Sequence, residues 1–342
     1  MKYKVGIVGS GFGERAHLPA FNAHPRFEVV AIASPNSAHH IAKERRIPQA
    51  FKTCDELLRE ADVDLVSISA PPFTHHADVL AALAAGKHVI CEKPFALNVE
   101  QAEAMLAASQ KAGTACAIMH EFRWVPERMA LKELVVNGHL APLREIEIVQ
   151  FTNSLRSGEN GRERGWWFER ERGGGLAGAA LSHVIDSANW YAGRAPLRST
   201  GYLRTANPER RDKQGEYVST VDDGAFALLD YGDGLIARLS VDGTVAVESS
   251  TYAVHAENRT AVASGKKALD LTLYTVDEDE TAELDCKPSP YQKFGSVDPL
   301  VPYIMHLLDE FANQIEKNES AVPTFAEAVA TQRVLESIGY MA

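Results

Sequence analysis

Three side chains invite a chemical reading before any other: Lys93, His183 and Asp186. Glu92-Lys93-Pro94 follows Lys87-His88-Val89-Ile90-Cys91, a run that reads as a short buried strand. The lysine therefore sits where a parallel strand delivers its last residues to the ligand-binding edge of an α/β sheet. It holds a fixed positive charge there beside an acidic neighbour, and Pro94 stiffens the chain directly after it. A strand-end ion pair closed by a turn proline would use the same three residues. His183 falls in a second segment, Leu176 to Tyr191, which reads as a helix released by Gly173-Gly174-Gly175. Asp186 is three residues further on and so on nearly the same helix face. A carboxylate beside a histidine raises its basicity and fixes its tautomer, which suits proton transfer.

Residues of this kind need a scaffold, and the first third of the chain supplies one. Tyr3 to Val8 is a short apolar run ending in Gly9-Ser10-Gly11-Phe12-Gly13, and a helical pattern with Leu18 and Phe21 follows. Strand, glycine turn and helix start together make an anion site, because unpaired amides and the positive end of the helix dipole point at one spot. Gly9 and Gly11 fit the first two positions of the dinucleotide fingerprint, while the third is Glu14 with Gly13 just before it. Strands at Phe27 to Ala33, Leu65 to Ser69, Lys87 to Cys91 and Thr114 to Met119 alternate with helices at Ala38 to Arg46, Thr74 to Ala85 and Val99 to Ala112. Such alternation specifies parallel pairing with right-handed crossovers. Residues 1–122 thus read as a doubly wound dinucleotide-binding domain, and 123–342 as a second domain.

The ends of two further strands bear on the cofactor. An acid about 20 residues past the glycines would bind the ribose 2'-hydroxyl and repel a 2'-phosphate. Here the strand ends in Ser34-Pro35-Asn36, and no carboxylate occurs before Glu44, so NADP is favoured over NAD. Ala70 and Pro71 follow the strand at Leu65 to Ser69, and His75, close behind, is placed to touch nicotinamide or substrate or simply to start a helix.

Bulk properties narrow the partners. A net charge of -11 on 342 residues argues against nucleic acid or an anionic membrane. The cysteines, Cys54, Cys91, Cys116 and Cys286, show no paired spacing of a zinc or redox site and read as reduced thiols, so no metal is expected. No basic-then-apolar leader precedes Tyr3, and no apolar run approaches the roughly 20 residues of a membrane span. A cytoplasmic enzyme is the expectation.

Taken in order, Gly9-Ser10-Gly11 with His17, Gly86-Lys87-His88-Val89 leading to Glu92-Lys93-Pro94, and Gly173-Gly174-Gly175 followed by His183 resemble the Gfo/Idh/MocA oxidoreductases. The resemblance implies an N-terminal Rossmann domain and a C-terminal α+β domain. The latter would carry a large open, mainly antiparallel sheet through which homo-oligomers, dimers or tetramers, form. It implies that Lys93 lies between nicotinamide and the substrate hydroxyl, that Pro94 follows a cis peptide, and that Glu92 and Lys93 join the cofactor site. The family's pattern has an Asp four residues before the histidine, where this chain has Ala179. That departure leaves a regulator or sensor with lost catalysis open beside the oxidoreductase, and NAD-dependent glycoside cleavage is a third implication of the likeness.

In the second half, Glu121-Phe122-Arg123-Trp124 crosses between domains, and Pro126 to Asn137 reads as a helix. Residues 154–172 read as a long loop carrying Arg156, Arg162, Arg164, Arg170 and Arg172 around Trp166, Trp167 and Phe168. Arginine with aromatics suits a sugar or an acidic, oxygen-rich ligand, so Arg123, Trp166 and Trp167 join Lys93 and His183 as candidate substrate contacts. A solvated loop or a subunit contact would use the same composition. Gly232-Asp233-Gly234 signals a hairpin between Ala225 to Tyr231 and Leu235 to Val241. Strands at Thr251 to His255 and Ala268 to Leu273, an acidic run from Asp277 to Glu283, and helices at Tyr303 to Lys317 and Phe325 to Tyr340 complete the reading.

Overall fold

The computed structural model describes residues 2–156, 163–266, 269–276, 281–317, 319 and 321–341. Arg162, residue 268 and positions 277–280 of the acidic run lie outside the described residues. The chain forms two compact units, Met1–Trp124 with Ser289–Val329, and Val125–Pro288 with Ala330–Ala342. The first crossing comes close to the expected 122/123 boundary. Residues 289–329, expected in the second domain, instead complete the first unit.

In chain order the first unit runs β1 (Tyr3–Val8), a π turn at Gly13–His17, α1 (Leu18–Ala23), β2 (Phe27–Ala33), α2 (Ala38–Arg45), β3 (Gln49–Phe51), α3 (Cys54–Glu60), β4 (Leu65–Ile68), α4 (Pro72–Ala84), β5 (His88–Cys91), α5 (Val99–Ala112) and β6 (Cys116–Ile118). The strands are parallel throughout and ordered β3-β2-β1-β4-β5-β6. Their near-continuous burial is what a sheet covered on both faces demands. The order reverses between β1 and β4, so the crevice at their carboxyl ends is the binding edge of this topology. The β3–α3 segment was not anticipated. Thr53 caps α3 by accepting the Glu56 N–H, and Glu56 in return accepts the Lys52 N–H.

The second unit opens with α6 (Pro126–Val136) and β7 (Leu143–Phe151), then short 3-10 turns at Trp166–Phe168 and Arg170–Arg172, a π turn at Ala177–Leu181, and α7 (Ser182–Ala192). The strands β8 (Arg198–Arg204), β9 (Glu209–Asp212), β10 (Gly215–Val218), β11 (Gly224–Gly232), β12 (Leu235–Asp242), β13 (Ser249–Ala256), β14 (Arg259–Gly265), β15 (Asp270–Thr275) and β16 (Ala282–Glu283) follow. Seven of them join β7 in an eight-stranded sheet ordered β16-β15-β14-β13-β7-β12-β11-β8, antiparallel except where β12 meets β7, while β9 and β10 pair separately. Strand β11 alternates as a sheet with one covered face must, with Ala225, Ala227 and Leu229 buried and Phe226 and Leu228 outward. The Gly232-Asp233-Gly234 turn has all three residues at positive φ.

Two helices close the chain. Helix α8 (Val301–Lys317) belongs to the first unit, and α9 (Phe325–Ser337) starts there, with Phe325 against Phe95 at 4.5 Å between ring centroids. Among the described residues no helix is long and apolar enough to cross a membrane.

Candidate active site

At the end of β1 the chain turns under steric compulsion. Gly9 has φ +107°, and a β-carbon there would lie 2.5 Å from the Ala70 nitrogen. Gly13 packs as closely, since a β-carbon would sit 2.3 Å from Ser69 Oγ and 2.9 Å from Ile7 Cγ2. Gly13 thus performs the helix-to-strand packing usually given to the third fingerprint glycine. The wide π turn that starts at Gly13 puts this residue, not residue 14, against the sheet, which frees Glu14 to pair with Arg45 at 3.0 Å. Gly11 is exposed, and a β-carbon on it would meet nothing within 4 Å. The turn therefore leaves open backbone at its centre over the β1/β4 crevice, the cradle a dinucleotide pyrophosphate requires.

From this turn a buried chain of hydrogen bonds runs to the lysine. His17, the last residue of the π turn and wholly buried, has Nε2 2.9 Å from Glu92 Oε1 and Nδ1 2.8 Å from Ser67 Oγ. The carboxylate can only accept, so Nε2 carries the proton of that bond, and Nδ1 pairs with the Ser67 hydroxyl. The second carboxylate oxygen of Glu92 accepts the main-chain N–H of Lys93 at 3.2 Å. Burial works to raise the Glu92 pKa, but the His17 hydrogen bond and the Lys93 charge outweigh it and hold the group below its ordinary value. An ionised carboxylate therefore stands beside Lys93, itself half-buried and followed by a cis peptide to Pro94.

His75 has a different placement from the expected contact with nicotinamide or substrate. It is wholly buried, with Nδ1 3.0 Å from the Pro94 carbonyl and Nε2 2.8 Å from the Ala70 carbonyl. Burial lowers its pKa, and as a neutral ring with one N–H it donates to one of these two carbonyls at a time. At the end of β2, the Ser34 hydroxyl lies 3.0 Å from both Ser10 Oγ and Ser37 Oγ. This hydroxyl cluster joins the second strand to the glycine turn where an acid would otherwise stand. Pro35 and Asn36 are exposed beyond it.

In the second unit, His183 and Asp186 are both buried on α7. The helix entry is packed to its limit. Gly174 admits no side chain, since a β-carbon would lie 2.2 Å from the Trp167 carbonyl oxygen, and the Gly175 N–H donates to that oxygen at 3.0 Å. Trp166 and Trp167, both half-buried, are thereby fastened to the start of the histidine helix. The expected loop is ordered here into 3-10 turns, and its Arg164 is a bidentate partner of Asp212 at 2.8 and 2.9 Å. Arg123 also departs from its expected role in binding substrate. Its side chain is 5% exposed and bonds Glu327 Oε1 at 2.8 Å, while Glu327 Oε2 accepts from Thr324 at the start of α9.

One residue absent from the sequence reading belongs to this region. Asp222 accepts the Ala177 N–H at 2.6 Å and, through its main-chain carbonyl, the Leu176 N–H at 3.2 Å. It thus caps the π turn that leads to His183. Burial pushes its pKa up to about 6 against the pull of the Ala177 N–H. The Asp222-Asp223 doublet directly before an alternating strand was its visible signal. Among the described residues, no group of three or more His, Cys, Asp or Glu is placed to hold a metal ion.

Comparison with known proteins identifies the family. Residues 3–120 match the family model described as "Oxidoreductase family, NAD-binding Rossmann fold", and residues 129–262 match the "GFO/IDH/MocA C-terminal domain". The chain belongs to the Gfo/Idh/MocA oxidoreductase family. An uncharacterized oxidoreductase of Synechocystis sp. is 33% identical over 61% of this chain and 56% of its own length. Levoglucosan dehydrogenase of Pseudarthrobacter phenanthrenivorans is 26% identical over 74% of this chain and 68% of that protein. An uncharacterized oxidoreductase of Schizosaccharomyces pombe matches over 55% of its length, so the chain spans little more than half of some curated relatives. Among solved structures, an oxidoreductase domain protein from Kribbella flavida has a TM-score of 0.88 at 23% identity, covering 100% of this chain and 97% of that one. A levoglucosan dehydrogenase complex with NADH also gives 0.88, at 22% identity and the same coverage. At these identities the two structures establish the fold alone, a parallel Rossmann sheet with a mainly antiparallel second sheet.

Proposed function

We propose that this Gfo/Idh/MocA protein is an NAD(P)-dependent oxidoreductase acting on a secondary alcohol, or its ketone, in a sugar, polyol or related cyclic compound. The observation that carries the reading is the buried run from the glycine turn through His17 and Glu92 to Lys93. It ties the lysine to the dinucleotide cradle within one unit. When bound, the nicotinamide supplies the carbon that exchanges a hydride. Lys93 hydrogen-bonds the reacting oxygen and stabilises the negative charge developing on it, as fixed positive charge does at such sites. His183 moves the proton as general base or acid, with Asp186 as the carboxylate that orients it. Trp166 and Trp167 serve the substrate side. Gly9 to Gly13, Ala70, Pro71 and Glu92 hold the cofactor. NADP is favoured because Ser10, Ser34 and Ser37 offer hydroxyls, not a carboxylate, near the adenosine ribose. The protein acts in the cytoplasm as a homo-oligomer built through the second sheet, whose outward Tyr202, Phe226 and Leu228 are exposed. Levoglucosan dehydrogenase and 1,5-anhydro-D-fructose reductase among the relatives point to a cyclic carbohydrate as substrate.

Purified protein assayed with NADP and NAD against a panel of sugars, polyols and their ketones should show turnover with one class and a lower Kd for NADP. Cofactor binding with no turnover across the panel, unchanged by Lys93→Ala, would sink this reading. That result would support the second one, a dinucleotide-binding sensor, which Ala179 in place of the family's Asp favours.

A further inference from the structure

Arg15 lies on the π turn directly after the glycine turn, with its side chain 61% exposed. Its guanidinium carbon is 5.1 Å from the centroid of Phe12, a residue of the turn itself. Phe12 in turn meets the His17 ring edge-on at 5.3 Å, so this arginine rests on the module that leads to Glu92 and Lys93. Its partner comes from residues 289–329, far along the chain but in the same unit. Arg15 Nε lies 3.1 Å from Asp298 Oδ2. Asp298 is only 11% exposed, and its other oxygen, Oδ1, accepts the Leu300 N–H at 2.9 Å immediately before α8. The acid is therefore fixed, whereas the arginine is long, exposed and always charged.

A guanidinium holds a phosphate best with two parallel N–H donors. The Asp298 contact engages Nε and leaves the Nη1/Nη2 edge of the fork for a second anion. The strongest anion this turn is built to receive is a pyrophosphate, cradled beside Gly11. We propose that Arg15 is a pyrophosphate-binding residue for which Asp298 competes, so that the loop before α8 sets how tightly the dinucleotide is held. The carboxylate keeps the guanidinium over Phe12 when no dinucleotide is present. An incoming pyrophosphate draws it across the exposed lip of the turn. The inference rests on the dinucleotide reading above and adds a residue pair outside the glycine fingerprint.

The test is equilibrium binding of NADP and NAD to the full chain, followed by titration calorimetry, with no turnover required. Arg15→Ala should weaken binding about tenfold, the loss of one charge-assisted contact. Asp298→Asn should tighten it about threefold, because an ion pair with one solvent-exposed partner is weak. Asparagine still accepts the Leu300 N–H, so the cap is retained, and thermal melts without cofactor check that both variants fold. In the double variant the gain from Asp298→Asn should vanish. If Arg15→Ala and Asp298→Asn both weaken binding, or the Asp298→Asn effect survives without Arg15, the competition is overturned. A misfolded Arg15→Ala is replaced by Arg15→Lys, which should keep the charge and lose about threefold through the missing fork. Wild-type protein that binds neither dinucleotide would instead defeat the parent reading, and this inference with it.

Discussion

Two glycine-rich turns of this protein lead to buried histidines, His17 and His183, in the same way and hold them differently. Each of them, Gly9 to Gly13 or Gly173 to Gly175, runs into a five-residue π turn, Gly13–His17 or Ala177–Leu181. Such wide turns are frequent at functional sites. In the first, the carboxylate of Glu92 bonds the histidine side chain itself, and Ser67 occupies the other ring nitrogen. In the second, the carboxylate fixed at the π turn, Asp222, bonds the backbone of Ala177, and the position four before His183 is Ala179. Glu92 is thereby held below its ordinary pKa, while Asp222, with burial dominant, is pushed up to about 6. The same device can set a side chain or set a helix.

Four experiments would break or sharpen that contrast. The largest effect should come from Lys93→Ala, which removes the charge that the first turn positions. Turnover should fall by about 10³ with the dinucleotide Kd nearly unchanged, measured by steady-state kinetics and calorimetry. His183→Ala should cost about 10² in turnover and flatten one limb of the pH–rate profile, and a profile that keeps both limbs would remove His183 from proton transfer. Asp222→Asn tests the helix anchor through stability. A group whose folded pKa is raised to about 6 contributes stability that is complete below its unfolded value near 3.8 and is lost as pH rises through about 6. The variant lacks that loss, so its stability relative to wild type should climb between about pH 4 and pH 6. The gain should reach about 3 kcal/mol at most by pH 7, read from denaturant melts at each pH. The smallest effect is expected from Ala179→Asp. Restoring a carboxylate there should raise turnover up to about tenfold if His183 lacks orientation, and leave it unchanged if Asp186 already supplies it.

Much of the first unit was legible because parallel strands buried on both faces write themselves as apolar runs, and the helices between them carry clear starts and stops. Asn98 caps α5 and Gly113 ends it in the left-handed region. The ligand edge followed from strand order alone. Missed elements were short or coded by caps and not by apolar period. Helix α3 is announced only by its cap, with Thr53 accepting the Glu56 N–H and Glu56 accepting the Lys52 N–H. Two site residues moved for reasons that no local pattern carries. Arg123 is buried by an ion pair with Glu327, 204 positions away, and His75 is turned inward by the carbonyls of Ala70 and Pro94. Asp222 escaped because its partner lies 45 residues earlier. The return of residues 289–329 to the first unit is likewise a matter of long-range packing, with Arg26 bonding Asp309 and Asn313 on α8.

The contact between Gly174 and the Trp167 carbonyl has a practical meaning for anyone wishing to re-cut the specificity of this protein. At 2.2 Å there is no room for even a methyl group, so the tryptophan turn and the histidine helix are one inherited part. A transplanted loop from a relative will seat only if it brings its own path past residue 174. Libraries that vary residues 166–168 while holding the triple glycine constant should retain folded members, whereas those that randomise both should not.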